Sequence, residues 1–186
     1  NLFHPSIEES EEGRQFVAGV LRRAAEMTIF GNPLTNSFQR LGEFEAPKYI
    51  TWSHQNRCPL ITVPLTGDHS ANRMKLRAFD GCINPYIVFA LLIHAGLDGI
   101  EQGLPLPPAC DENLFTASNE VRTRYEALPG ALCDAIRIAK DSDFITKYLP
   151  EKARTAFFAA KQAEHDRIAL ADDRTAAERQ LYFERY

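Results

Sequence analysis

The sequence predicts an α+β fold, a small and mainly antiparallel sheet packed with helices. Two patterns carry this expectation. Stretches before residue 31 and after residue 84 repeat apolar residues at helical spacing, whereas residues 49–79 break into short runs rich in β-branched and aromatic residues. The 186 residues, 45% hydrophobic and 25% charged, are enough for one core of domain size.

The first helix is expected to start at Ser10, a suitable N-cap, with Glu11 and Glu12 favourable at the positive end of the helix dipole. Phe16, Val17, Val20, Leu21, Ala24 and Met27 then recur at helical spacing, and Gly31 is a C-terminal stop. The turn residues Asn32-Pro33-Leu34-Thr35-Asn36-Ser37 follow, which places Arg40 on or beside a loop. The β runs are Tyr49-Ile50-Thr51-Trp52, Leu60-Ile61-Thr62-Val63 and residues 73–79, with Thr66-Gly67-Asp68-His69-Ser70 as a turn between the last two. Asn84-Pro85 opens another helix, Asn as N-cap and Pro at the first helical position. Residues 86–97 are apolar around most of the circumference, so this helix is expected to be buried on several sides. A Pro-rich loop at residues 104–108 leads into a helical remainder that ends in charged segments.

Several function classes are disfavoured. A net charge of -4 argues against non-specific nucleic-acid binding, although a local basic patch stays open. Cys58, Cys82, Cys110 and Cys133 form no C-x-x-C pair, so buried free thiols in a reducing compartment are expected. The N-terminus opens Asn1-Leu2-Phe3-His4 and soon turns acidic, unlike a secretory signal, and its lack of methionine is consistent with processing or truncation. Residues 87–97, interrupted by His94, are too short to span a bilayer. A soluble, cytoplasmic protein without nucleic-acid or membrane partners is expected.

The most informative local pattern is Arg73-Met74-Lys75-Leu76-Arg77. On a strand, Arg73, Lys75 and Arg77 share one face, successive charges about 7 Å apart, and Met74 and Leu76 take the other. Such a row reads either as a solvated, charge-protected edge or as an anion site. Arg40 and Arg57 add two guanidiniums of the kind that grip carboxylates and phosphates bidentately, though spacing alone does not bring them together.

A longer series of motifs carries a resemblance. Asn32-Pro33-Leu34-Thr35-Asn36-Ser37-Phe38-Gln39-Arg40-Leu41 is similar to N-P-x-x-N-S-Y-K-R-L, and Phe44-Glu45-Ala46-Pro47 to G-[YF]-E-A-P without its first residue. Trp52-Ser53-His54-Gln55-Asn56-Arg57 is similar to [YW]-[SG]-x-x-N-R, and Leu60-Ile61-Thr62-Val63-Pro64 to S-I-R-[IV]-P. Residues 73–77 match R-x-E-x-R except at the centre; Asn84-Pro85-Tyr86, Ala95-Gly96-Leu97-Asp98-Gly99-Ile100-Glu101 and Asp111-Glu112-Asn113-Leu114 continue in order. The colinear series resembles the glutamine synthetase family.

That resemblance implies an ATP-dependent glutamate–ammonia or glutamate–amine ligase acting through γ-glutamyl phosphate, with ATP and Mg or Mn as cofactors and a ring-shaped homo-oligomer as its assembly. It implies that Arg40 binds glutamate and that Glu45 is the flap residue shielding the intermediate and helping to deprotonate ammonium. Arg57 would reach nucleotide phosphate and substrate, Arg73 would lie on the nucleotide side, and Arg77 would lie near the glutamate side chain and transferred phosphate. It also implies that residues 1–186 form part of a catalytic domain, with a β-grasp domain, glutamate ligands and an H-x-H strand expected upstream of Asn1.

Three positions depart from the pattern. Lys75 stands where a metal-ligating glutamate is implied. At ~5 Å and an effective dielectric of ~20, exchanging -1 for +1 beside a divalent ion is a swing on the order of 10 kcal/mol, so that ion is absent or Lys75 points away. Thr62 replaces an arginine implied to contact nucleotide phosphate, and Phe115 replaces a tyrosine that is adenylylated in regulated members. Ser70 falls near an implied lysine. His4, His94 and His165 read as a surface, a core or interface, and a solvated histidine respectively. The expected function is therefore the C-terminal part of a ligase, inactive alone; a non-catalytic relative that binds glutamate or nucleotide, or acts as a scaffold, is the alternative.

Overall fold

The computed structural model describes residues 1–3, 6–43, 46–56, 58–64 and 71–183. Helix α1 spans Glu11–Gly31, and Ser10 caps it by accepting a hydrogen bond from the Gly13 N–H at 2.9 Å. A 3-10 helix over Thr35–Arg40 follows where the turn residues were expected. Three short strands come next, β1 at Trp52–Ser53, β2 at Ile61–Thr62 and β3 at Lys75–Leu76. The chain then turns helical: α2 over Pro85–Glu101, α3 over Asn119–Arg122, α4 over Leu132–Lys140, α5 over Asp143–Tyr148, α6 over Glu151–Ala169 and α7 over Arg174–Tyr182.

The α+β expectation is met, with one correction to the sheet. Its order is β1-β2-β3; β2 and β3 pair antiparallel, but β1 and β2 run parallel, because the chain loops back before β2 rather than turning in a hairpin. The strands are also shorter than the β runs suggested. Residues 66–70, expected as a turn, lie outside the described residues, as does His4.

One core joins the layers. Val17, Val20, Ala24 and Met27 of α1 pack with Val88, Leu91 and Ala95 of α2 and with Leu132, Ala135 and Ile136 of α4. Trp52, Ile61 and Ala78 extend this cluster under the sheet. The α1–α2 crossing is close because glycines meet: a Cβ on Gly99 would lie 2.2 Å from the Gln15 carbonyl oxygen and 2.8 Å from Gly19 Cα. Ala95, Gly96 and Gly99 are thus the helix-crossing face of α2.

Asn84 caps α2 with Pro85 at its first turn, as the sequence predicts. The expectation that α2 is buried on several sides is not met. The described elements cover the face toward α1, while Tyr86, Phe89, Ile93 and Leu97 stay exposed. His94 stacks on Tyr148 with ring centroids 3.9 Å apart. All four cysteines are free; Cys58 and Cys110 are buried, but Cys133 is exposed and so departs from the expected buried thiols. No helix among the described residues is long and apolar enough to cross a membrane.

Candidate functional site

The turn after α1 and the exit from β3 form one polar knot. The Arg40 guanidinium donates through Nη2 to Asn32 Oδ1 at 2.7 Å and to the Ala78 carbonyl oxygen. Its Nε lies 4.0 Å from Asp80 Oδ2, and the Ser37 hydroxyl donates to that same oxygen at 2.7 Å. The Asp80 N–H reaches the Gly31 carbonyl at 2.8 Å, and the Cys82 N–H caps Asp80 Oδ1 at 3.1 Å. Each residue of the turn therefore has a task. Asn32, fully buried, receives the arginine; Ser37 closes the 3-10 turn by accepting from the Leu34 N–H and hands its own proton to Asp80.

Burial lowers the Arg40 pKa, and the Asp80 charge opposes that only in part. Burial also pushes the Asp80 carboxyl upward, but the Ser37 and Cys82 hydrogen bonds and the Arg40 charge outweigh it, leaving the pKa below its ordinary value. The Asp80 carboxylate is therefore ionised at neutral pH, facing a guanidinium of the kind that keeps its charge in proteins. Among the described residues the Arg40 hydrogen bonds run through Nη2, while its buried Nε has no hydrogen-bond partner.

Arg77 lies next to the Ala78 carbonyl that Arg40 caps, and its N–H donates to the Leu60 carbonyl at 3.0 Å, which prolongs the β2–β3 ladder by one residue. The fold accordingly brings Arg40 and Arg77 to one end of β3. Arg73 is at the other end, about 13 Å along at ~3.3 Å per residue, exposed and bonded to the Ala71 carbonyl at 2.9 Å. The alternation read from the sequence holds: Arg73 and Lys75 are exposed, while Met74 and Leu76 pack on the core. In the β2–β3 register Thr62 and Lys75 are direct Cα partners, so two of the three departures meet at one point on the sheet.

Glu45 and Arg57 lie outside the described residues, but the segment leading to Arg57 is fixed. The Trp52 indole donates to the Pro107 carbonyl at 2.7 Å, and Asn56 Nδ2 to the Glu112 carbonyl at 2.6 Å. His54 bridges the Val63 carbonyl at 2.9 Å and Glu8 at 2.7 Å. Phe115 lines a cavity of about 170 Å³ with Leu41, Tyr49, Cys58 and Leu114, where Arg122 donates to the Leu114 and Phe115 carbonyls. Asp80 and Arg122 were missed by the sequence reading. An acid three residues beyond Arg77 is a faint signal for the first; the second, an arginine on a short helix, left none.

The knot of Asn32, Ser37 and Arg40 coincides with a family pattern. The glutamine synthetase catalytic-domain model matches residues 1–182. The chain belongs to the glutamine synthetase family. Among its relatives are glutamine synthetase of Staphylococcus aureus (strain MW2), 37% identical over 170 residues, and that of Mycobacterium bovis, 35% identical over 172. These alignments cover 89% and 88% of this chain but only 38% and 39% of those proteins. The solved GmaS/ADP complex (conformation 1) superposes with a TM-score of 0.79 at 28% identity, covering 99% of this chain and 43% of that one. The chain thus spans less than half the length of these relatives.

Proposed function

We propose that this chain is the glutamate-side part of an ATP-dependent ligase joining glutamate to ammonia or an amine. The observation that supports the reading is the hydrogen bond from Arg40 to the carbonyl of Ala78, the residue after Arg77, in a chain of the glutamine synthetase family. Arg40 offers Nη1 to a glutamate carboxylate while Asn32 and Asp80 hold the rest of the guanidinium still. A γ-carboxylate oxygen attacks the terminal phosphorus of ATP, the bond to the ADP oxygen breaks, and Arg77 faces the charge on the transferred phosphoryl group. Arg57 and Arg73 serve the nucleotide phosphates; the ADP of the GmaS structure supports a nucleotide on this fold. Glu45 takes a proton from ammonium; the ammonia so formed adds to the acyl carbon, phosphate leaves, and a further proton is lost from the nitrogen.

Among the described residues, no group of three or more His, Cys, Asp or Glu gathers where a metal ion could sit. Lys75 presents an exposed ammonium at a position where the resemblance implies a carboxylate. The described residues do not fit a divalent ion, and no step is assigned to one. The juxtaposition of Lys75 with Thr62 favours a second reading, a non-catalytic relative that binds glutamate or nucleotide.

Two measurements test the parts of this proposal. These 186 residues alone should give no ATP-dependent γ-glutamyl transfer to hydroxylamine, because the chain spans so little of its relatives' length; measurable turnover by them alone refutes that. In a protein of the relatives' length carrying this chain, Lys75→Glu should bind one additional divalent ion by equilibrium dialysis. Unchanged metal stoichiometry would place Lys75 outside the site.

A further inference from the structure

The 3-10 helix that carries Arg40 is held from a distant part of the chain. Such helices seldom run beyond about three or four residues, because their hydrogen-bond geometry is poor, yet this one spans Thr35–Arg40. Its shape is therefore set by its neighbours. Ser37 meets Asp80 near its middle, and Arg40 meets Asn32 at its end. Its start is held by α7. The Thr35 hydroxyl donates to Glu178 Oε1 at 2.6 Å, and the Thr35 N–H donates to the Tyr182 hydroxyl oxygen at 3.4 Å. The first bond is short and charge-assisted; the second occupies a backbone donor that a helix start leaves without a partner in its own helix.

Glu178 and Tyr182 stand one turn apart on α7, so both meet the 3-10 helix from one side. Tyr182 is buried and packs with Leu34, the residue just before that helix, in a small cluster with Ile168. Its hydroxyl donates to Glu164 Oε2 at 3.4 Å, which leaves its lone pairs for the Thr35 N–H. Lys161 donates to the same Glu164 oxygen at 2.8 Å and holds that acceptor in place.

We propose that Glu178 and Tyr182 are positioning residues for Arg40: α7 fixes the start of the 3-10 helix, and thereby the place where the guanidinium at its end meets glutamate. This rests on the ligase reading, in which Arg40 binds the glutamate carboxylate. Thr35 and Arg40 are about 10 Å apart at ~2 Å per residue, within one short element, so a displacement of the first moves the second. A misplacement of about 1 Å can cost ~100-fold in rate. Loosening one anchor of three costs less, and about a three- to tenfold rise in KM for glutamate is expected.

The test uses a protein of the relatives' length carrying this chain, assayed by γ-glutamyl transfer to hydroxylamine. Glu178→Ala should raise KM for glutamate about three- to tenfold and change KM for ATP by less than about twofold. Thr35→Val should match it, and the two together should do no more, because both remove one bond. Glu178→Gln, whose amide oxygen still accepts, should restore most of the parent value. Leu181→Ala loosens α7 in the same cluster without touching either bond to Thr35, and should leave KM for glutamate within about twofold. Arg40→Lys separates this inference from the reading beneath it. If it raises KM for glutamate while Glu178→Ala does not, or if Leu181→Ala acts as strongly as Glu178→Ala, the positioning role is wrong. If Arg40→Lys changes nothing, the ligase reading falls, and amide exchange in the 186-residue chain decides whether α7 holds the turn. The Ser37 and Leu41 amides, which donate to the Leu34 and Phe38 carbonyls, should exchange at least about fivefold faster in Glu178→Ala and Thr35→Val than in the parent or Leu181→Ala. Unchanged exchange in Glu178→Ala, or equal acceleration in Leu181→Ala, overturns the proposal whatever the longer protein does.

Discussion

Asp80→Asn tests whether the polar knot holds Arg40 by charge. The substitution keeps the shape of the side chain and, with Oδ1 toward Ser37, still accepts there; its Nδ2 cannot accept, so the bond from the Cys82 N–H is lost along with the negative charge. At 4.0 Å the attraction to Arg40 is about 4 kcal/mol for an effective dielectric of ~20. Desolvation of both groups offsets part of this, and both side chains retain some exposure, so the full 3–5 kcal/mol of a broken buried pair is too much. The hydrogen bond from Ser37 also falls from a charged to a neutral one, a loss of about 1 kcal/mol. The expected destabilisation at pH 7 is about 2–3 kcal/mol, read from the midpoint of urea unfolding. Its pH dependence has a definite sign. The Asp80 pKa is lowered in the folded chain, so its contribution is fully present above the ordinary value of 3.8 and is lost as pH falls through the lower folded value. The gap between the parent chain and Asp80→Asn should therefore be constant from pH 7 to about 5 and narrow below 3.8 as far as the native state persists. A gap under about 0.5 kcal/mol at pH 7, or one that does not narrow on acidification, would refute the charge-based account.

Gly99→Ala sets an intrinsic gain against a clash. Ala favours a helix over Gly by about 1 kcal/mol, but its Cβ would lie 2.2 Å from the Gln15 carbonyl oxygen, so α1 and α2 must separate, at about 1–3 kcal/mol. A net loss of up to about 2 kcal/mol in urea unfolding is expected, while Gly130→Ala, where nothing lies within 4 Å, should be neutral or stabilise by under about 1 kcal/mol. Ser10→Ala removes the cap on Gly13 and the bond from the Ser10 hydroxyl to the Leu2 carbonyl at 2.5 Å, and should cost about 1–2 kcal/mol, with amide exchange accelerated at the start of α1.

Most of what the sequence settled acts over short separations. Ser10 reaches a donor three residues on and Asn84 donors two and three residues on, so these N-caps could be read one by one, whereas the expected stop Gly31 is the last helical residue and Asn32 is the C-cap. Apolar spacing identified the inner face of α1, and period-two alternation set Arg73 and Lys75 apart from Met74 and Leu76. The motif series identified the family before any contact was known.

The partners of those motifs were decided by tertiary structure. Ser37 meets Asp80 across 43 residues, Asn56 meets Glu112 across 56, and Trp52 reaches Pro107 across 55. Such pairings leave no period in the sequence, because two groups far apart along the chain meet only when intervening elements have packed. The parallel β1–β2 pair is of the same kind, since residues 49–62 alone do not state which way the second strand will run. The helix starts at Ser10 and Asn84 and the family were therefore legible in the sequence alone; what only packing decided was where Arg40 is held, which departures meet across β2 and β3, and that the apolar outer face of α2 remains open.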